Sequence, residues 1–242
     1  MRATSRATGS SETGSSVTRV SSEELLGPLS EIEQKFAPKT LFVAGKIALP
    51  LPHPRVAIIG TRKPSAEALK IASNLSKTLA LEKVIIVSGL ARGIDTAAHT
   101  AAIEAGGRTI AVLGTPLSKT YPRENADLQS AIMSQHLAVS QFVEGHQTTP
   151  TDFIVRNRTM ALIGDASVIV ESGEGGGSLH QGWEALRLGR PLFIHSREFE
   201  RGHEWPRDMA EYGAVEFKKP SDILDSVPSA GLNLAVATFE SA

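Results

Sequence analysis

The chain has 242 residues, 41% of them hydrophobic and 21% charged, which is enough to bury the core of one α/β domain or two small ones. It contains no cysteine, which excludes a disulfide scaffold, a thiolate metal site and a cysteine nucleophile. The formal net charge is −1, but residues 55–123 hold ten basic and four acidic residues. This local excess indicates an anionic partner, although solvated helix faces alone would give the same count.

The N-terminal segment is rich in small polar residues. Residues 1–22 contain thirteen Ser, Thr or Gly and no Leu, Ile or Phe. Because such a segment buries too little apolar surface to offset its ordering entropy, we predict a disordered tail over residues 1–22. We expect one folded domain over residues 23–227 and a short tail over residues 228–242. No run approaches the roughly 18–20 apolar residues of a membrane span, so we expect a cytoplasmic protein with no membrane partner.

Short apolar runs from residue 41 onward predict β-strands, because they are β-branched and nearly continuous in apolar character. These runs cover residues 41–44, 56–60, 84–87, 109–113, 137–140, 168–171 and 192–194. Apolar stripes of 3.6-residue period between them predict helices, as at Ala68, Ala72, Leu75 and Leu79. Strands that alternate with helices predict an α/β fold with a doubly wound, mostly parallel sheet, that is, an extended Rossmann-like fold.

Ligands of such sheets bind outside the carboxyl ends of the strands, and residues 60–65 (Gly-Thr-Arg-Lys-Pro-Ser) follow the first central strand. The glycine ends the strand, Ser65 is positioned to cap the next helix, and Arg62 and Lys63 stand beside that helix end. Backbone amides and the positive helix end then face one space that fits a phosphate. A tight turn with two solvated cations is the alternative.

A second unusual strand end covers residues 88–95 (Ser-Gly-Leu-Ala-Arg-Gly-Ile-Asp). Its two glycines, four residues apart, allow the backbone to approach a ligand closely. Asp95 is a good N-cap, and His99 lies one turn later on the same helix face. A structural cap is the favoured interpretation of this pair. A catalytic Asp–His pair is the alternative, with no obvious nucleophile beside it.

A third strand end runs from Gly114 into a loop that carries Lys119, Tyr121 and Arg123. A cation for phosphate beside a ring for a base suits a groove for single-stranded nucleic acid. The loop is nearly as well explained as a Tyr-Pro turn with an ordinary surface cation.

The fourth strand end combines a helical Arg156-Asn157-Arg158 pattern with a glycine-rich segment that opens a helix at Gly177-Ser178. The glycine-rich segment predicts a second anion cradle at a helix N-terminus. On a helix, Arg156 and Arg158 point about 200° apart, so both cannot face one groove. We expect one of the two arginines to face the groove and the other to make an internal ion pair or a dimer contact.

The order of these motifs carries a family resemblance. From about residue 38 to 226 the chain has in register Gly-Thr-Arg-Lys-Pro-Ser, Ser-Gly-Leu-Ala-Arg-Gly-Ile-Asp, Gly-Gly-Arg-Thr-Ile-Ala-Val-Leu-Gly, Tyr-Pro-Arg-Glu-Asn, Arg-Asn-Arg and Gly-Ser-Leu. Together they resemble the DNA-processing protein DprA (Smf) family. The resemblance implies a non-enzymatic homodimer that binds single-stranded DNA without sequence preference and loads the RecA recombinase during natural transformation. No cofactor is expected.

The motif positions also predict which residues bind phosphate. Together, the residue patterns and the resemblance predict a set made of Gly60, Thr61, Arg62, Lys63, Ser88, Gly89, Arg92, Gly114, Lys119, Arg123, Arg156, Arg158, Gly177 and Ser178. The chain departs from the family pattern at Pro116, at Gln141 and at His180-Gln181. The fifteen residues after Val227 are too few for the winged-helix domain of many members, so we expect a minimal or divergent member.

Two alternatives from other classes remain open. Phosphoribohydrolases of the LOG type, which cleave nucleoside monophosphates, share the superfamily fold and look like Pro-Gly-Gly-X-Gly-Thr-X-X-Glu at the fourth strand end. Here Gln181 occupies the position of their catalytic glutamate, and an amide cannot act as a general base, although Glu184 could substitute. The other alternative is a nucleotide-sensing module. The seven His residues show no metal-ligand spacing, so no metal site is expected.

Overall fold

The structure is a computed structural model that describes residues 16–227, and its strands in that range form one nine-stranded sheet. The strands are β1 (Thr18–Val20), β2 (Leu41–Gly45), β3 (Arg55–Ile59), β4 (Ile85–Ser88), β5 (Thr109–Leu113), β6 (Leu137–Ser140), β7 (Ala166–Ile169), β8 (Leu192–His195) and β9 (Val215–Phe217). Their order across the sheet is β1-β2-β6-β5-β4-β3-β7-β8-β9. Only the β1–β2 and β2–β6 pairs are antiparallel, which confirms the predicted mostly parallel, doubly wound fold.

Helices cover both faces of the sheet. They are α1 (Ser22–Leu26), α2 (Glu31–Phe36), α3 (Ala66–Leu81), α4 (Ile94–Glu104), α5 (Ala126–Gln135), α6 (Pro150–Ile163), α7 (Gly177–Arg187), α8 (Ser196–Glu200), α9 (Trp205–Glu211) and α10 (Pro220–Leu224), with a 3₁₀ turn at Arg123–Asn125. Because strand side chains alternate, Ala57 and Ile59 pack with α6 and α7, whereas Val56 and Ile58 pack with α3 and α4.

The chain reverses its winding direction between β3 and β7, which are hydrogen-bonded neighbours in parallel. From β3 the chain passes through α3 to β4 on one side, and from β7 it passes through α7 to β8 on the other side. The loops that follow the two strands therefore diverge to opposite faces of the sheet. Such a switch point leaves a crevice at the carboxyl ends of the two strands, where ligands of open α/β sheets bind.

The N-terminal segment is more ordered than the sequence predicts. Val20 is buried where β1 pairs with β2, and α1 follows with Ser21 and Glu24 forming a capping box over the buried Leu25. The predicted disordered tail is therefore wrong for residues 18–22, because a short strand gains its hydrogen bonds from the sheet edge. The remainder of this tail before residue 16 and the predicted tail over residues 228–242 lie outside the described residues. Within residues 16–227 no helix is both long and apolar enough to cross a bilayer.

Candidate functional site

A cleft of about 790 Å³ opens at the carboxyl ends of β3 and β7. Three walls form it. One is the loop after β3, with Gly60, Thr61, Arg62 and Lys63, and the second is the glycine-rich turn before α7. The third is one face of α6, whose side chains at positions 150, 153, 157 and 160 recur at the helical period. Sequence patterns far apart in the chain thus meet at one site.

The loop after β3 is held firmly at both ends. The Thr61 amide donates to the Glu171 carbonyl at 2.7 Å, which ties the loop to the end of β7. The Ser65 hydroxyl accepts from the Ala68 amide at 3.1 Å, so the predicted N-cap of α3 is confirmed. Between these anchors, Arg62 and Lys63 are exposed at the cleft. Both cations can therefore contact an anion beside the start of α3.

The glycine-rich turn presents the N-terminus of α7 to the same cleft. Gly176 is the N-cap residue and provides no side-chain hydrogen bond, so first-turn amides lack a side-chain partner. The Asn157 amide on α6 donates to the Gly177 carbonyl at 2.9 Å, and the hydroxyls of Ser172 and Ser178 lie 2.6 Å apart. The Asn157 bond fixes the turn against α6. The amides of Gly176 and Leu179 donate to the carbonyls of Gly173 and Gly176, whereas those of Gly177 and Ser178 make no hydrogen bond within the described residues and can bind an anion.

Two aromatic rings stand at the mouth of the cleft. Tyr121 is 47% exposed, and its ring centroid lies 5.2 Å from that of Phe153 on α6. The Arg62 guanidinium lies 5.6 Å from the Phe153 ring centroid, and Lys119 completes this side. The sequence pattern pointed to Tyr121 and Lys119 but missed Phe153, whose signal is its place on the same α6 face as Asn157. Cations beside two tilted rings suit a strand with phosphates and bases.

Arg156 lies beneath the cleft and is committed to the protein interior. Its side chain donates to the carbonyls of Gly89 and Val112, the latter at 2.8 Å, and to the Asn157 side chain at 3.0 Å. Asp95 is buried beside it and accepts from the amides of Gly89 at 3.1 Å and Ala91 at 3.3 Å. Burial raises the pKa of Asp95, and the Arg156 charge opposes that rise. Arg156 is also among the residues that line the cleft, so its phosphate contact stays a prediction beside these internal bonds.

Three further members of the predicted set are buried and do not line the cleft. The Ser88 hydroxyl donates to the Ile58 carbonyl at 2.7 Å. A Cβ on Gly89 would lie 1.9 Å from the Arg156 guanidinium, so this glycine makes room for an arginine rather than for a ligand. A Cβ on Gly114 would lie 2.6 Å from the Phe153 ring. Another group does approach the backbone of these two glycines closely, but that group is a side chain of the protein and not a ligand.

Three predicted arginines are exposed but do not line the cleft. Arg158 pairs with Glu184 at 2.9 Å, as expected for whichever arginine of the 156–158 pattern faces away. Arg92 pairs with Glu124 at 2.5 Å, and Arg123 begins the 3₁₀ turn beyond Tyr121. DNA contact by Arg92, Arg123 and Arg158 stays a prediction.

The Asp95 and His99 side chains do not form the predicted pair. Gly93, not Asp95, is the N-cap of α4. His99 is fully buried, and its Nδ1 lies 2.7 Å from the Thr109 hydroxyl, which itself donates to the Ile86 carbonyl. Nδ1 must therefore be the protonated nitrogen. Burial lowers the pKa of His99 to about 3. Both side chains are structural, and residues 16–227 contain no cluster of three or more metal-ligating side chains.

A carboxylate network that the sequence did not reveal supports the cleft from behind. Glu171 accepts from the Ser65 hydroxyl at 2.6 Å, from the Ser65 amide at 3.0 Å and from Arg201 at 2.5 Å. Glu198 is buried, accepts from the Ser172 amide at 2.9 Å and pairs with Arg201 at 3.2 Å. Burial raises the pKa of Glu198. The network joins the two loops of the cleft through one arginine.

The position of the hydrolase glutamate lies deep in the cleft wall. Gln181 is fully buried there, and neither its Nε2 nor its Oε1 has a hydrogen-bond partner within the described residues. Glu184 does not line the cleft, because its carboxylate is held by Arg158 and Arg187. The substitution of Glu184 for a catalytic glutamate is therefore not supported.

Comparison with known sequences identifies one family. Residues 20–228 match the sequence model described as DNA recombination-mediator protein A. DNA processing protein DprA of Streptococcus pneumoniae is 41% identical over 165 residues, which cover 68% of this chain and 57% of that protein. DNA processing protein DprA of Bacillus subtilis is 31% identical over 192 residues, which cover 79% of this chain and 65% of that protein. The chain thus spans about three fifths of the length of these two relatives.

Solved structures agree with the predicted fold. DNA processing protein A from Streptococcus pneumoniae superimposes with a TM-score of 0.74 at 32% identity, covering 87% of this chain and 74% of that one. DNA processing protein A from Helicobacter pylori, described for its single-stranded DNA binding mode, superimposes with a TM-score of 0.73. At 24% identity, with 87% of this chain and 94% of that one covered, the second likeness shows the fold alone.

Proposed function

This chain belongs to the DNA recombination-mediator protein A family, and from that premise we propose that its cleft binds single-stranded DNA without reading base sequence. The observation that carries the proposal is the convergence of Arg62, Lys63, Lys119 and the α7 N-terminus around one cleft, at whose mouth the exposed Tyr121 meets the half-buried Phe153. Each of these groups recognises a feature that every nucleotide shares.

The chemistry of the cleft favours a single strand over a duplex. Guanidinium, ammonium and helix-terminal amides bind phosphates and carry no base information. The Tyr121 and Phe153 rings offer faces on which unpaired bases stack, and stacking of this kind adds about 1–3 kcal/mol per base. Bases in a duplex are already stacked on one another, so they cannot use these rings.

A binding role is favoured over the hydrolase. The residue at the catalytic glutamate position is an amide, and the nearest substitute on α7 is paired with two arginines outside the cleft. Because an amide cannot act as a general base, the cleft has binding groups without an evident acid–base pair. We propose that the protein is not a nucleotide hydrolase.

The wider role rests on family membership. We propose that the protein acts in the cytoplasm as a homodimer and delivers bound DNA strands to the RecA recombinase. The support for dimerisation is that most oligomeric soluble proteins form symmetric assemblies of identical chains. The support for RecA is the family description as a recombination mediator.

The experiment that tests the cleft is Arg62→Ala in a fluorescence anisotropy titration with (dT)5. Loss of one charge-assisted contact should lower the affinity by about tenfold or more, since such hydrogen bonds contribute about 1.5–3 kcal/mol. Arg62 is exposed, so far-UV circular dichroism should stay unchanged. If three cations contact phosphates, the log–log salt slope of the unmodified protein should be about −2, at about −0.7 for each contact.

The matched control is Arg108→Ala. Arg108 is an exposed arginine just before β5, so it lies at the amino end of that strand, away from the carboxyl ends where the cleft opens. Equal (dT)5 affinity in Arg62→Ala and the unmodified protein would contradict the proposal.

The cleft volume also lies within the range of about 300–1,000 Å³ typical of small-molecule sites. Thermal stabilisation by a mononucleotide but not by oligo(dT) would therefore replace DNA with a small nucleotide as the ligand.

A further inference from the structure

A second groove, of about 460 Å³, runs between α3 and α4 on the outer surface of one helical layer. Lys70, Lys77, Ser73 and Asn74 line its α3 side. Lys70 and Lys77 are seven residues apart, so they share one face of α3 and lie about 10 Å apart along its axis. Both lysines are exposed, and neither makes an ion pair within residues 16–227. The groove therefore offers two unneutralised cations flanked by neutral hydrogen-bonding groups.

The acidic groups around α3 leave this charge largely uncompensated. Glu104 on α4 is the one carboxylate among the residues that line the groove. Glu67, in the first turn of α3, is paired with Arg197. Asp222 belongs to α10, which packs on α3, and its carboxylate accepts from the backbone amides of residues 218 and 219. Leu69, which is 37% exposed, adds an apolar surface beside the two lysines.

α3 links the groove to the cleft, although the two sites share no lining residue and the α3–α4 layer covers the sheet face opposite to α6 and α7. α3 begins at the cleft, where Ser65 caps it beside Arg62 and Lys63. From Ser65 to Lys77 the helix advances about 18 Å at about 1.5 Å per residue. At the rise of about 3.4 Å per nucleotide of a base-stacked strand that distance takes about five nucleotides, and a more extended single strand covers it with fewer. A strand that leaves the cleft along α3 would meet Lys70 first and Lys77 next.

We propose that the α3–α4 groove is a second contact surface for single-stranded DNA, which extends the binding site from the cleft along α3. This inference rests on the proposed function of the cleft. Lys70 and Lys77 contact the phosphodiester backbone, while Ser73 and Asn74 offer further donors to phosphate or sugar oxygens. The groove adds affinity only for strands long enough to reach it.

The test is the double substitution Lys70→Gln/Lys77→Gln, titrated with (dT)5 and (dT)15 across a salt series. Two lost phosphate contacts should weaken (dT)15 binding by about tenfold or more near 0.1 M salt and make its log–log slope shallower by about 1.4. Binding of (dT)5 should be unchanged, because the cleft is intact. The matched control Lys46→Gln/Lys218→Gln removes the same charge from exposed lysines outside both sites, and should leave both titrations unchanged.

The outcomes separate the groove from the cleft. Unchanged (dT)15 affinity and salt slope in the double variant, with normal (dT)5 binding, would overturn the groove and leave the cleft standing. An equal loss in the double variant and its control would also overturn the groove, because it would reduce the effect to net charge. If the unmodified protein binds neither (dT)5 nor (dT)15, both the cleft and the groove proposals are overturned.

Discussion

Arg156 is the residue on which the loops under the cleft depend. It supplies donors to two carbonyls and a positive charge to the buried carboxylate of Asp95. Replacement by methionine keeps an unbranched apolar chain there but removes the donors to the Gly89 and Val112 carbonyls and the charge near Asp95, which costs about 2–6 kcal/mol at about 1–3 kcal/mol for each unsatisfied buried group. We expect Arg156→Met to lower the free energy of unfolding by this amount in urea titrations.

The partner substitution makes this prediction specific to the buried pair. In Asp95→Asn/Arg156→Met the uncompensated charge is gone, so the double variant should lose less stability than the sum of its two single variants. An Arg156→Met protein with unchanged stability but no DNA binding would contradict this structural role. It would show that the guanidinium contacts phosphate instead.

At the scale of the element, the N-terminus of α3 couples helix stability to the cleft. The Ser65 hydroxyl caps α3 and also donates to Glu171, which links the loops after β3 and β7. Ser65→Ala should therefore cost about 1–2 kcal/mol in unfolding free energy as a lost N-cap. It should also weaken (dT)5 binding, since the loop with Arg62 loses an anchor.

Ser30 provides the matched control for this prediction, because it caps α2 through the same kind of bond to Glu33 and lies outside the cleft. Ser30→Ala should destabilise the protein by a comparable or smaller amount and leave (dT)5 binding unchanged. Equal (dT)5 affinity in both serine variants would show that the cap of α3 does not position the cleft.

The sequence predicted the strands whose burial leaves a pattern in their own residues. All seven predicted strands are present because their side chains are buried on both faces and so form continuous apolar runs. β1 and β9 were missed because each is three residues long and two of its three side chains are exposed. Their formation depends on pairing with neighbouring strands, a long-range contact that leaves no local pattern.

The same distinction holds for the site. Its backbone features were partly predictable: Ser65 caps α3 and the glycine-rich segment opens α7 as expected, whereas Gly89 and Gly114 make room for protein side chains. The partners of charged side chains were not, because Arg156 meets carbonyls 67 and 44 residues away, and Arg201 meets Glu171 across 30 residues. Only the packed fold decides which cations face the cleft and which face inward.

At the scale of the whole molecule, a single buried histidine should control stability in mild acid. His99 Nδ1 donates to Thr109, so a proton added at Nε2 would be buried without a partner near Arg156. Because burial lowers its pKa from 6.5 to about 3, the unfolded chain binds this proton more readily than the folded chain does. The contribution of His99 to stability is therefore fully present above pH 6.5 and is lost as the pH drops toward 3, by about 5 kcal/mol at about 1.4 kcal/mol per pKa unit.

The substitution that tests this dependence is His99→Asn, since an asparagine amide keeps a donor toward Thr109 without a titrating group. Urea unfolding between pH 7 and pH 4 should show a smaller loss of stability in the variant than in the unmodified protein. Some loss should remain, because burial also lowers the pKa of His136. His180→Asn, a change at an exposed histidine on α7, should leave the pH dependence as it is. Parallel curves for His99→Asn and the unmodified protein would show that the proton is not taken up at this core position.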